Sequence, residues 1–223
     1  MQAIELKETE VLEDMQLGGL KIVQDVNLYR FTSDSVLLSR FARAKQGDTV
    51  ADFCAGSGIV AYHFYALNRD KVKGLTFALF EMQASLAALA KKTATYNGFD
   101  NVEIVCGKLQ EIDERYREKF SLVLCNPPYI RTGELSSLDT ELSAEPRAAL
   151  DGGEDGLIFY RRLLSTADCW IREGGFFLFE IGYDQAADVA RLGKENGFCS
   201  VEVKRDLGGN DRVVLLSRAP RID

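Results

Sequence analysis

Apolar and polar positions alternate in blocks along the chain, and the blocks change period. Thr49 to Phe53, Leu75 to Phe80, Val102 to Cys106, Leu122 to Cys125 and Phe176 to Ile181 are short, largely apolar runs bounded by turn residues, which is the pattern of buried strands. Between them lie stretches with helical spacing. One runs from the glycine turn at 54–58 as far as about Ala66, and one spans Gln83 to Tyr96 with Asn97-Gly98 as its stop. A charged, exposed helix is expected over Leu109 to Glu118, a further one over Leu157 to Ile171, and one over Gln185 to Glu195. Ahead of these, Leu17 to Gln24 reads as a glycine turn entering a strand. Thr32-Ser33-Asp34-Ser35 opens a helix carrying Leu37, Leu38 and Phe41. Two last strands, Cys199 to Val203 and Arg212 to Leu216, are joined by Gly208-Gly209-Asn210-Asp211 without a helix between them. Strands alternating with helices predict an α/β fold, a mostly parallel sheet with helices on both faces and an antiparallel edge. The expected division is an N-terminal extension, 1–45, packed on one domain, 46–223. The long polar stretch Thr132 to Gly153 is expected to be a functional or mobile loop.

Bulk properties narrow the picture without changing it. A chain of 223 residues with net charge −7 has room for one sizeable core and is not a broadly basic nucleic-acid clamp. Net charge does not exclude a local basic patch. Its five cysteines include no CxxC pair and it has one histidine, His63, so no metal site is expected. Most of the cysteines sit in apolar runs and are expected to be buried. The N-terminus lacks the apolar core of a signal peptide and no run reaches membrane-spanning length, so a cytoplasmic location is expected, with no membrane partner.

Three strand ends carry the candidate chemistry, and ligands of open α/β sheets bind beyond such ends. Asp52-Phe-Cys-Ala-Gly-Ser-Gly58 is a turn whose glycines allow close backbone approach but which lacks the Lys of a phosphate loop. It is a ligand loop or a structural turn. Glu81 closes the next strand and is either a ribose acceptor or a first-turn Glu placed by the helix dipole. Asn126-Pro127-Pro128-Tyr129 ends the buried run Leu122 to Cys125. Two prolines stop the strand and stiffen the backbone beyond it, fixing Asn126 and the Pro127 carbonyl as acceptors beside a flat ring. That turn receives a planar amine or amide, or is a proline-rich turn after a core strand. A carboxylate for ribose, a glycine turn without phosphate chemistry and an amine-receiving turn fit one cofactor, S-adenosylmethionine.

Asp52-x-Cys-x-Gly-x-Gly58, Glu81 and Asn126-Pro-Pro-Tyr129 resemble the class I methyltransferases that methylate nitrogen, and the resemblance runs over nearly the whole chain. It implies a Rossmann-like, seven-stranded sheet. It implies S-adenosylmethionine held by Asp34, Asp52, Ala55, Gly56, Gly58, Glu81, Met82 and Asn126. Catalysis would come from Asn126, Pro127 and Tyr129, with substrate contacts from Pro128, Ile130 and Arg147. Asp34 is otherwise a helix cap, Arg147 otherwise a surface ion pair, and His63 is expected to be structural. Where many relatives have an Asp that meets the adenine ring, this chain has Gly107-Lys108, leaving Cys106 or Leu109 to face it.

The resemblance then divides. Leu17-Gly-Gly-Leu-Lys-Ile22 and Phe31-x-x-Asp34-Ser-Val-Leu-Leu38 resemble the bacterial tRNA adenine-N6 methyltransferases. Asn126 to Ile130, Glu145-Pro-Arg-Ala-Ala-Leu150, Gly152-Gly-Glu-Asp-Gly-Leu157, Phe179-Glu-Ile-Gly182 and Asp211-Arg-Val-Val214 resemble the release-factor glutamine-N5 methyltransferases. About 48 residues precede the first sheet strand, too few for the helical front domain of the glutamine enzymes as well. The leading expectation is therefore adenine-N6 in tRNA, and the alternative is glutamine-N5 in a protein such as a release factor. An RNA-binding chain should cluster its cations around the mouth of the site, with Lys21, Arg30, Arg40 and Arg43 near the front and Arg131 and Arg147 behind the turn.

Overall fold

The computed structural model describes residues 2–28, 33–111, 113–138 and 147–218, with backbone alone at 33–35, 110 and 148. Seven strands form one sheet, and two further strands form a separate hairpin. The chain makes two compact units, Met1–Glu114 and Arg115–Asp223.

The first unit opens with the hairpin, β1 (Glu10–Asp14) and β2 (Lys21–Asp25), antiparallel with Glu10 opposite Asp25. It continues through α1 (Ser33–Phe41), β3 (Thr49–Phe53), α2 (Ile59–Asn68), β4 (Thr76–Glu81), α3 (Ala84–Asn97) and β5 (Val102–Cys106). β3 pairs with β4 and β4 with β5, all parallel and in unbroken register. That is what strand–helix–strand units with buried, branched and aromatic strands produce. Side chains of α3 satisfy the backbone of β2. Asn97 bonds both Lys21 N–H (3.1 Å) and Lys21 C=O (2.7 Å), and Thr93 accepts from Val23 N–H (2.9 Å). Val23 packs with Leu86 and Leu89 beneath. The hairpin is thus seated on a helix of its own unit by polar edge bonds and an apolar face together.

The second unit holds β6 (Phe120–Cys125), α4 (Ile158–Ser165), β7 (Ile171–Glu180), α5 (Ala186–Glu195), β8 (Ser200–Arg205) and β9 (Asp211–Ser217). β6 and β7 are parallel, while β9 runs antiparallel to both β7 and β8. The closing hairpin, read from its missing helix, thereby forms the antiparallel end of the sheet, with strand order β5-β4-β3-β6-β7-β9-β8. Fold class and strand count agree with the expectation.

Two elements differ from it. Leu109 to Glu118 is not a helix: short 3-10 turns occupy Leu109–Glu111 and Glu114–Tyr116. Within the second of these, Tyr116 alone is buried, stacked on Phe120 at 6.1 Å, so that turn offers no apolar stripe for a longer helix to bury. The helix expected to reach Ile171 stops at Ser165. Thr166 turns its hydroxyl back to the Arg162 carbonyl (3.0 Å), a local bond that competes with helix continuation. The Cys169 and Trp170 carbonyls accept from Glu118 and Phe120, which draws the chain into β7 five residues before Phe176. Cysteine burial differs too: Cys125 is buried, Cys54 and Cys169 are half-buried, and Cys106 and Cys199 are exposed.

Candidate functional site

In the first unit the carboxyl ends of β3, β4 and β5 converge on the glycine turn. The chain leaves β3 with Cys54 at φ +58°, Gly56 at +57° and Gly58 at +88°. A Cβ on Gly58 would lie 2.4 Å from the Tyr62 ring, so glycine there lets α2 start directly off the turn. A Cβ on Gly56 would meet nothing within 4 Å. Gly56 is itself buried, yet has empty space where a side chain would stand, which leaves room beside the turn.

Glu81 braces this turn. It is 7% exposed; one carboxylate oxygen accepts from Gly56 N–H (2.8 Å) and the other from Gln83 N–H (2.7 Å). A bond from Glu81 back to the glycine turn is expected neither of a ribose acceptor nor of a first-turn Glu. Each oxygen keeps a lone pair, so ribose hydroxyls remain compatible with it. Met82 beside it is 55% exposed. Ala55 donates to the Phe80 carbonyl (3.1 Å) and accepts from Gly58 N–H (2.8 Å), closing the turn against β4. At the end of β5, Gly107 donates to the Glu81 carbonyl (3.0 Å), and Cys106 and Lys108 are exposed.

Asp52 is 1% exposed. Its Oδ2 accepts from Ala61 N–H (3.0 Å), while Oδ1 has no partner among the described residues. Burial pushes its carboxyl up to about 8, opposed by the Ala61 bond and reinforced by the charge of Glu81. A second buried polar residue at the turn is not evident from the sequence. Gln24 of β2 is fully buried and donates through Nε2 to Ser57 Oγ (3.0 Å), and its Oε1 has no partner among the described residues. Gln24 lies at the end of a recognisable strand, but nothing in the local pattern ties it to a turn 33 positions away. His63 is 2% exposed. Its Nδ1 lies 2.6 Å from Ser39 Oγ, and burial together with Arg40 holds its pKa down to about 4.

In the second unit the fully buried β6 delivers Asn126 to Tyr129, with both prolines buried and Asn126, Tyr129 and Ile130 half-buried. The turn is gripped through its backbone. Gln185, 3% exposed, donates to the Tyr129 carbonyl (2.9 Å) and accepts from Gly182 N–H (2.9 Å). Gly156, at φ +74°, abuts the same carbonyl: a Cβ there would fall 2.4 Å from Tyr129 O and 2.5 Å from Gln185 Nε2. A Cβ on Gly152 would fall 2.7 Å from Tyr129 Cα. Ile130 bridges Asp151 in parallel fashion, its N–H to the Leu150 carbonyl (3.0 Å) and its carbonyl to Gly152 N–H (2.8 Å). The Tyr129 hydroxyl reaches toward buried Glu180 (3.4 Å), and Tyr160 bonds the Glu180 carbonyl (2.8 Å). Gln185, Glu180, Tyr160, Gly152 and Gly156 thus support the turn; of these the glycines and Glu180, within Phe179-Glu-Ile-Gly182, lie in motifs that stand out in the sequence.

Arg147 is exposed and opens a helical turn, Arg147–Leu150, whose last carbonyl is the one Ile130 bonds. Asp34 lies in α1, with its side chain outside the described set; Phe31, Glu145 and Pro146 lie outside it altogether. Lys21 pairs with Asp14 (2.8 Å), and Arg131 pairs with both Asp184 (2.7 Å) and Glu134 (3.0 Å). No group of three or more His, Cys, Asp or Glu suited to a metal occurs among the described residues, and no helix among them is long and apolar enough to cross a membrane.

Comparison with known proteins agrees with this layout. The methyltransferase small domain matches residues 32–168. The chain is 34% identical over 208 residues to the release factor glutamine methyltransferase of Geobacter sulfurreducens, covering 92% of this chain and 70% of that protein. It is 35% identical over 176 residues to the enzyme of the same name from Thermodesulfovibrio yellowstonii, covering 78% of this chain and 60% of the relative's length. Among solved structures, M. jannaschii TYW2 in complex with AdoMet shares the fold, with TM-score 0.62 at 13% identity, over 97% of this chain and 88% of that one.

Proposed function

Since the chain belongs to the methyltransferase small-domain family, we propose that it transfers a methyl group from S-adenosylmethionine to the side-chain amide nitrogen of a protein glutamine, with a peptide chain release factor as partner. The observation that carries the chemistry is the backbone-gripped turn Asn126 to Tyr129 at the end of a buried strand. The Geobacter and Thermodesulfovibrio relatives support the choice of acceptor.

Asp52 Oδ1, without a partner among the described residues, the empty space beside Gly56 and the braced carboxylate of Glu81 fit an amino-acid tail and a ribose, so the residues suit the cofactor. When bound, S-adenosylmethionine supplies an electrophilic methyl on a sulfonium. Glu81 takes the ribose hydroxyls on its remaining lone pairs, and Met82 covers the base. The Asn126 side-chain oxygen and the Pro127 carbonyl accept the two N–H bonds of the acceptor. This draws an amide nitrogen, whose lone pair is otherwise delocalised, toward the tetrahedral geometry of a nucleophile. Tyr129 stacks on the planar group. The two acceptors strengthen their hold as positive charge develops on nitrogen, so catalysis would come from orientation and fixed dipoles; the N-methylated amide would then release its extra proton, now strongly acidic, to solvent, so that no general base is required before transfer.

A second reading, adenine-N6 in tRNA, rests on the segment Leu17 to Leu38, which forms the hairpin strand β2 and the start of α1. The same acceptors suit an exocyclic amine, and the base would leave its stack to reach Tyr129. Against it stand the Geobacter and Thermodesulfovibrio relatives, both named release factor glutamine methyltransferase. Methyl transfer from labelled cofactor, with recombinant release factor and undermodified tRNA in one incubation, decides between them. Label in protein alone is expected; label in tRNA alone overturns the glutamine assignment.

A further inference from the structure

Two buried side-chain oxygens without a partner among the described residues border the same glycine turn. One is Asp52 Oδ1, at the end of β3. The other is Gln24 Oε1, on the hairpin. A buried acceptor left unbonded is unfavourable, and native proteins leave few. A ligand group with more than one N–H placed at this turn would serve both.

Gln24 is not loosely placed. Val23 before it is bonded through its N–H to Thr93, and Lys21 is held on both backbone groups by Asn97. The Gln24 amide nitrogen is spent on Ser57, which stands between Gly56 and Gly58. Its carbonyl oxygen is therefore held at the ligand turn by a rigid strand. Gly56, with open space where a side chain would be, leaves room for a ligand there. A carboxyl group and an amide oxygen suit a primary ammonium, which is cationic and has three N–H donors. A hydroxyl has one donor and cannot bond both.

We propose that Gln24 is a cofactor ligand: its side-chain carbonyl joins Asp52 in binding the α-ammonium of the cofactor's amino-acid moiety, so the N-terminal hairpin is part of the cofactor site. This rests on the reading of the glycine turn as the cofactor turn. It assigns the hairpin a role in recognising the amino-acid tail of the donor, separate from any role toward the acceptor.

Calorimetric titration of the full chain tests it with two ligands. S-adenosylhomocysteine carries the α-amino acid; 5′-methylthioadenosine has the same nucleoside and thioether without it. Gln24→Met is expected to weaken S-adenosylhomocysteine by about 10-fold or more, the scale of a lost hydrogen bond to a charged group, and to leave methylthioadenosine unchanged. Gln24→Glu, which keeps an acceptor, is expected to retain S-adenosylhomocysteine binding. Ser57→Ala frees the Gln24 amide while leaving β2 intact; it is expected to weaken S-adenosylhomocysteine selectively and carries the test if Gln24→Met does not fold. Equal weakening of both ligands, or no weakening of either, overturns the assignment. Binding of neither ligand by the unaltered chain overturns the cofactor reading itself, so the two failures are distinguishable.

Discussion

Asp52 shows how one side chain couples the site to pH. Burial raises its carboxyl to about 8, above the 3.8 of an exposed Asp. The folded chain therefore keeps this proton between those values while the unfolded chain releases it. Asp52 thus favours folding most below about pH 4, and that contribution is lost as pH rises through 8. Urea midpoints at pH 5, 7 and 9 should fall with pH more steeply in the unaltered chain than in Asp52→Asn; parallel profiles would show that the carboxyl is not held neutral. A ligand ammonium beside Asp52 favours the charged form instead, so binding should expel a proton. S-adenosylhomocysteine affinity is then expected to rise between pH 6 and 8, checked by titration in buffers of different ionisation heat. Asp52, Glu81 and the glycines are visible in the sequence because their residue types are informative where they stand. Gln24 is not, because a buried Gln in an apolar strand acquires meaning only from a partner far along the chain, Ser57.

The turn Asn126 to Tyr129 depends on an element that local pattern does not reveal. The sequence shows where β6 ends and why two prolines stiffen the backbone beyond it. It does not show that Gln185, 56 positions on, bonds the Tyr129 carbonyl, or that Gly156 must lack a side chain to let that carbonyl approach. Gly156→Ala places a methyl group where Tyr129 O and Gln185 Nε2 now lie, at a φ that favours glycine. It should lower kcat by about 100-fold, the effect of displacing a reacting group by roughly an ångström, with S-adenosylhomocysteine affinity unchanged. Steady-state kinetics beside calorimetry would check it; weakened ligand binding with kcat preserved would contradict it. Gln185→Leu is expected to act in the same direction and more mildly, because the turn loses a bond without gaining a clash. The two elements that depart from their apolar spacing do so for a similar reason. Tyr116 is committed to a ring stack on Phe120, and Thr166 to a bond back into its own helix, contacts that such spacing does not encode.

At the scale of the molecule, alternation of strands and helices is enough to anticipate seven strands, their mostly parallel pairing and the antiparallel close. The acceptor is not legible in the same way, since a turn that offers two acceptors beside a flat ring suits an adenine amine and a glutamine amide alike. The chain spans about 60% of the length of the first curated relatives it matches, so the assignment to a release factor rests on the aligned region. The central claim is that Asn126 to Tyr129 receives the nitrogen that is methylated. Single-turnover transfer of labelled methyl to release factor, by the unaltered chain and by Asn126→Ala, tests it most directly when S-adenosylhomocysteine affinity is measured on the same preparations. Transfer by the unaltered chain is expected, with a loss of about 100-fold or more in Asn126→Ala and equal ligand affinity in the two. Undiminished transfer by Asn126→Ala would contradict the claim.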